Sequence, residues 1–272
     1  MRQRLVHELR LLLVAVQFLT RVPVPRCVGF EAAWLNDCVR HFPLVGLGIG
    51  AFGAATWGAA VQVWPPAVAV VLSMAATVWL TGGFHEDGLS DTCDALGGTV
   101  SRDKALSIMK DSRIGAYGAI ALVLMLGLKA VTLGGLAQHG AWWPALALLW
   151  AHAASRAVAV TLMRLLPYAG DIEHAKAKPL ALSVQSGAVV VSWCWVLLFT
   201  LLLALLSPFQ KPYSRLLPAM FVAALSCALV TVVCLRWYRQ RLGGYTGDTL
   251  GAAQQFSEVA ALLAWLAVVN QR

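Results

Sequence analysis

Charge is what this sequence has least of. Only 12% of its 272 residues are charged, with 13 Asp and Glu against 21 Lys and Arg. A formal net charge of +8 raises the question of nucleic acid. A nucleic-acid surface needs dense basic clusters, and charges this sparse in a chain that is 59% hydrophobic do not build one. Cysteine is scarce and scattered. The six, at 27, 38, 93, 194, 227 and 234, form no CxxC pair and no zinc spacing, which argues against a zinc site or a disulfide framework. Most read as small packing residues. No convincing internal repeat is visible, and no polar stretch is long enough for a separate soluble domain. What remains is apolar: the mean hydropathy of +0.71 is membrane composition.

Seven long apolar runs, at about 42–64, 66–84, 116–136, 141–163, 187–206, 218–235 and 250–269, each approach the roughly 20 residues that a bilayer core requires. The expected fold is all-α: a polytopic integral membrane protein of about seven transmembrane helices, forming one catalytic domain over residues 1–272. Ahead of these runs, residues 5–20 are interrupted by Glu8, Arg10 and Gln17, and no A-x-A cleavage site follows. They predict an amphipathic interfacial helix with Leu5, Leu9, Leu12, Leu13 and Val16 toward lipid or protein, within a cytoplasmic segment 1–40; a short tilted span is the other option.

Placing residues 1–40 in the cytoplasm and letting each run cross once puts sixteen of the 21 Lys and Arg on the cytoplasmic side and three, Lys211, Arg215 and Arg272, on the other. This asymmetry predicts the orientation. It also brings three polar motifs to one face, two of them in a cytoplasmic loop spanning 85–115.

The first motif is His85-Glu86-Asp87-Gly88-Leu89-Ser90-Asp91-Thr92-Cys93-Asp94, which holds four of the 13 carboxylates. If 87–96 is helical, Asp87, Asp91 and Asp94 stand at i, i+4 and i+7 and share a face. Three like charges there repel unless a cation lies among them, and hard oxygen ligands select Mg²⁺, Mn²⁺ or Ca²⁺. Gly97-Gly98 is a helix stop. A solvated acidic face is the bland alternative, and His85 is either a further ligand or a plain loop histidine.

In the second motif, Ser101 predicts the N-cap of a helix over 102–110 whose end delivers Lys110, Asp111, Ser112 and Arg113. Lys110 and Arg113 suit phosphate, or simply the C-terminal end of a helix. Gly115 and Gly118 suit packing at the mouth of the next span. The third motif, Gly243 to Gly251, is a glycine-rich turn with Thr246 and Thr249 hydroxyls; its amides suit phosphate oxygens, with Asp248 as a plain N-cap the alternative. Inside the spans, His152 and Arg156 sit at i, i+4, with Glu258 near the start of the last. His152 reads as an interhelical hydrogen-bonding residue, and Arg156 as close enough to the cytoplasmic end to snorkel or reach the site. Carboxylates for metal, basic residues and glycine-rich turns on one face fit phosphoryl transfer.

These stretches resemble a known family. LTGGFHEDGLSDTCDALGG (80–98), IMKDSRIGAYG (108–118), GGYTGDTLGA (243–252) and QFLTRVPVP (17–25) are similar to the signatures of cobalamin synthase, the adenosylcobinamide-GDP ribazoletransferases, across nearly the whole chain. Cys93 stands where that pattern leads one to expect a small residue such as Ala. The resemblance implies an enzyme of the bacterial inner membrane that joins adenosylcobinamide-GDP to α-ribazole or its 5′-phosphate, uses Mg²⁺ and releases GMP. It implies Glu86, Asp87, Asp91 and Asp94 as the metal and catalytic group. The accompanying mechanism is direct displacement at phosphorus, with Mg²⁺ on Asp87 and Asp91, the site completed by Asp94 or Glu86, and one of those two as general base. Lys110, Asp111, Ser112, Arg113, Thr246 and Asp248 are the expected substrate-binding residues. Expected partners are the two substrates and membrane lipid, with no nucleic acid; a homo-oligomer is left open. Two other readings stand beside it. A CDP-alcohol-type head-group phosphotransferase would place Ala-Arg after its Asp-Gly pair, where this chain has Leu89-Ser90. A cation-coupled transporter would hold its acids near the bilayer midplane.

Overall fold

The computed structural model describes residues 2–29, 31, 33–170, 184–206 and 214–271. Over these residues the protein is a bundle of helices: α1 (Arg2–Leu19), α2 (Trp34–Cys38), α3 (Phe42–Ala60), α4 (Pro66–Thr81), α5 (Phe84–Leu96), α6 (Arg102–Met109), α7 (Ala116–Gln138), α8 (Trp142–Leu165), α9 (Ser186–Leu206), α10 (Leu216–Leu242) and α11 (Gly247–Val269). Among them, six segments are long and apolar enough to cross a membrane, α2 and α3 counting as one, or seven if α4 and α5 form one bent span. The all-α membrane architecture expected from the apolar runs is therefore present.

Two helices form the axis. α8 and α11 bury most of their surfaces, whereas α7, α9 and α10 leave Val123, Val131, Leu198, Leu205, Phe221 and Leu229 exposed, as lipid-facing helices do. The α3–α8 crossing is close because α3 is glycine-rich. A Cβ on Gly46 would strike the His152 carbonyl, and one on Gly50 would come within 2.8 Å of Leu148 O. Trp57 Nε1 donates to Ala141 O at 2.8 Å, and Ser73 Oγ to Gly53 O at 2.7 Å, tying α3 to its neighbours.

The helix ends follow their sequence signals. Pro66 opens α4, where its missing N–H costs nothing, and Gly243 closes α10 in the left-handed region at φ 74°. Ser101 Oγ accepts from Lys104 N and caps α6. α1 buries Leu11, Val14, Ala15 and Leu19 and leaves Leu5 and Leu9 exposed. Glu8 fastens it to the start of α3 through Arg40 at 3.3 Å and His41 at 3.0 Å. Lys176, Lys178, Lys211 and Arg272, which enter the charge asymmetry, lie outside the described residues.

Candidate active site

The site is built on an elbow. Gly82 and Gly83 both adopt positive φ, 74° and 72°, a backbone that side chains with a Cβ disfavour. There the chain turns by 88° from α4 into α5. The acidic stretch is thus a helix packed into the bundle, not an open loop. Gly88 makes this possible: a Cβ there would lie 2.8 Å from Asp248 O, at the first turn of α11. His85, on the packed side, is buried and has no place in a solvent-facing metal site.

The outer side of α5 forms one wall of a cleft of about 610 Å³. Glu86, Asp87, Ser90 and Asp91 line it, with Thr81 to Phe84 of the elbow, Arg21, Ser112 and Ile114. Asp87 is exposed and Asp91 half-buried. Asp248, on α11, lies within electrostatic reach of Asp87.

Asp94 does not join them. Its Oδ2 accepts the Gly115 N–H at 2.7 Å and its Oδ1 the Gly118 N–H at 2.8 Å. The carboxylate therefore caps α7 from a neighbouring helix, where the positive end of the helix dipole favours an anion. The two glycines are explained by the same contact, since a Cβ on either would strike the carboxylate. Glu86 is also engaged, its Oε1 accepting from Gln255 Nε2 at 3.1 Å. Among the described residues no three His, Cys, Asp or Glu side chains stand close enough to hold a metal by themselves.

The expected basic wall is differently made. Arg113 turns away and forks onto Asp111, with Nη2 to Oδ2 at 2.6 Å and Nε to Oδ1 at 3.0 Å. This contact holds the exposed Asp111 carboxyl down to about 2. Lys110 is exposed and does not line the cleft. Arg21 does line it, with its backbone N–H bonded to Leu80 O at 2.8 Å and its guanidinium over Gly82. In the sequence Arg21 is one of many cytoplasmic charges, and its place in QFLTRVPVP is the signal that marks it.

The glycine-rich turn serves the scaffold. Thr246, not Asp248, is the N-cap of α11, in a reciprocal capping box with Thr249. Thr246 is buried, its hydroxyl facing Met109 Sδ at 3.6 Å, so it is not displayed to a substrate. Two arginines lock the three motifs together. Arg241 donates to Leu96 O (3.2 Å) and Gly98 O (2.7 Å) at the end of α5. Arg102 donates to Leu242 O (2.8 Å) and Ala169 O (3.0 Å). Tyr245 N in turn bonds Pro167 O at 2.9 Å.

Deeper in the bundle, His152 Nδ1 meets Glu258 Oε2 at 3.1 Å, the interhelical contact expected of it. Arg156 neither snorkels nor reaches the cleft; it is 2% exposed and donates to its own helix at His152 O, 2.9 Å away. Glu258 lies halfway along α11 because the capping box starts that helix at Gly247.

Comparison with known proteins supplies the remaining evidence. Residues 11–266 match the cobalamin-5-phosphate synthase family. An adenosylcobinamide-GDP ribazoletransferase of Leptothrix cholodnii is 56% identical over 97% of this chain and 98% of its own length. Proteins of the same name from Shewanella halifaxensis (43% identical over 94% of each chain) and Vibrio parahaemolyticus (38% over 96% of this chain and 93% of the relative) are also similar. No solved structure matches. With a family match over nearly its whole length and relatives that align end to end, the chain belongs to the cobalamin-5-phosphate synthase family.

Proposed function

We propose that this chain is an adenosylcobinamide-GDP ribazoletransferase, which joins adenosylcobinamide-GDP to α-ribazole or α-ribazole 5′-phosphate and releases GMP. The observation that carries this reading is the end-to-end likeness to relatives bearing that name, and the cleft suits the chemistry. It sets two carboxylates one helical turn apart, Asp87 and Asp91, facing a space that Arg21 and Ser112 also line.

The donor set fits Mg²⁺. That ion is commonly held by one or two carboxylates and completes its shell with water and substrate phosphate, so a pair of carboxylates without a third protein ligand suits it. Asp87 and Asp91 would hold it; when bound, it would neutralise the diphosphate. Arg21 would bind a phosphate oxygen through its planar fork. Ser112 would donate a hydroxyl hydrogen bond beside it. The ribose hydroxyl of the ribazole attacks the phosphorus attached to cobinamide, and GMP departs. Of the two residues weighed as general base, Asp94 spends both oxygens capping α7, whereas Glu86 lines the cleft with only its Oε1 accepting from Gln255. Catalysis rests mainly on positioning and charge neutralisation, as phosphoryl transfer generally does. The Lys and Arg asymmetry supports the bacterial inner membrane with the cleft on the cytoplasmic side.

The test is direct. Purified full-length protein, given Mg²⁺, adenosylcobinamide-GDP and α-ribazole 5′-phosphate, should release GMP in step with the joined corrinoid. Release of CMP from a CDP-lipid would favour a head-group transferase. Folded protein that yields neither GMP nor a joined corrinoid would overturn the assignment.

A further inference from the structure

The interior of the bundle holds a connected group of ionisable side chains that the proposed reaction leaves unused. Lys129 of α7, His152 and Arg156 of α8, and Glu258 of α11 are each no more than 3% exposed. Lys129 Nζ pairs with Glu258 Oε1, and His152 Nδ1 approaches Glu258 Oε2 at 3.1 Å. Buried charges in a bilayer are costly unless matched, and here two cations share one carboxylate. His152 and His85, the latter buried in electrostatic reach of the same group, can add only positive charge.

A second carboxylate reaches toward this group from the cleft. Gln254 Nε2 donates to Glu258 Oε2 at 2.6 Å, and Gln255 Nε2 donates to Gln254 Oε1 at 2.9 Å and to Glu86 Oε1 at 3.1 Å. Gln254 and Gln255 are themselves buried, at 1% and 2% exposure. Glu86 is in electrostatic reach of both Lys129 and Arg156. Two buried atoms without a hydrogen-bond partner, Glu86 Oε2 and Arg156 Nε, are a complementary acceptor and donor.

We propose that Glu86 is the second counter-ion of this buried cluster and that Gln255 couples the cluster to α5. The bundle interior thereby fixes where Asp87 and Asp91 stand at the cleft. Glu86 and Gln255 are positioning residues in this scheme. Its catalytic consequence rests on the proposed function; the charge balance does not.

The experiment uses full-length protein in detergent or nanodiscs, without Mg²⁺ or substrate for the first measurement. Glu86→Gln and Arg156→Gln should each lower the melting temperature, because each strands one buried charge. The double variant should melt closer to wild type than either single one. Losses that add, or a double variant worse than both singles, would overturn the counter-ion pairing. If neither single variant folds, the double still decides: folded protein supports the pairing and unfolded protein refutes it.

The second measurement takes Gln255→Met, which keeps every charge and cuts the amide link. Turnover per folded molecule should fall about tenfold, ~1.4 kcal/mol, with the Mg²⁺ requirement unchanged. Unaltered turnover would sink the positioning role. A large rise in the Mg²⁺ requirement of Glu86→Gln would make Glu86 a metal ligand instead. Failure of the wild-type protein to release GMP would count against the proposed function alone, since the melting comparison needs no substrate.

Discussion

Replacing Asp94 by Asn separates two roles that the sequence cannot tell apart, a metal ligand and a cap for α7. The side chain keeps its size and one oxygen but turns an NH₂ donor toward one of the two backbone N–H groups it now accepts, at Gly115 and Gly118. One hydrogen bond to a charged acceptor is lost, worth about 1.5–3 kcal/mol. The interaction of that charge with the helix dipole adds about 0.3–1 kcal/mol. A total of about 2–4 kcal/mol should lower the melting temperature of the detergent-purified protein by on the order of 5–15 °C. The Mg²⁺ concentration for half-maximal turnover should stay where it is. Gly118→Ala strikes the same contact from the other side, since its Cβ would meet the Asp94 carboxylate and lie 2.5 Å from Ser90 Oγ. It should cost a similar amount alone and little more when combined with Asp94→Asn, because both changes break one shared contact. An Asp94→Asn protein that melts with wild type but needs far more Mg²⁺ would refute the reasoning and return Asp94 to the metal.

Arg21→Ala should raise KM for the diphosphate substrate roughly 10- to 100-fold, the worth of a charged hydrogen bond of about 1.5–3 kcal/mol. Arg21→Lys should recover only part, keeping the charge without the fork; a KM unchanged in both would remove Arg21 from the site. In a background lacking the native cysteines, an impermeant maleimide should reach a cysteine at position 139 in intact cells and one at position 101 only after permeabilisation, and the reverse pattern would invert the topology. The Asp111–Arg113 contact should be insensitive to ordinary pH. A lowered carboxyl pKa, here about 2, means the contact is complete above the usual value of 3.8 and is lost only as the pH falls toward 2. Wild type and Arg113→Lys should therefore give pH–rate profiles of the same shape from about pH 5 to 9, and an acid limb near pH 5 that Asp111→Asn abolishes would contradict this.

The helices were legible because apolar length is local information. Runs near 20 residues, Ser101 and Gly97-Gly98 mark where helices begin and end without reference to any neighbour. The acidic face was legible for the same reason, since positions 87, 91 and 94 share a side of any helix. Which partner meets that side is not local. The lower part of the face is taken by α7, so Asp94 meets backbone amides while Asp87 and Asp91 meet the cleft. Arg113 was assigned to phosphate by charge and place, yet Asp111, two residues earlier, competes for it and wins. Lys129, His152, Arg156 and Glu258 are scattered through apolar runs over more than a hundred positions. Their mutual neutralisation was the physical requirement, but only the packing of α7, α8 and α11 says who neutralises whom.

The right-angle elbow at Gly82-Gly83 bears on the lipid as well as on the cleft. α4 has 16 residues, about 24 Å at 1.5 Å per residue, short of the roughly 30 Å hydrocarbon core. The turn sets α5 alongside α7 and α11, with Asp94 at Gly115 and Gly118, Gly88 against Asp248 and Glu86 at Gln255, so the start of α5 lies deeper in the bundle than its end. A helix too short for its membrane draws the lipid in around it. Thinning of that kind would bring water closer to the inner end of the acidic face. A bulky ring system and a ribazole could meet there from the aqueous side, each keeping its body in water while their reacting ends share a recess. Membrane thickness thus becomes a physical variable of the reaction, since a thicker bilayer deforms at greater cost around the same elbow.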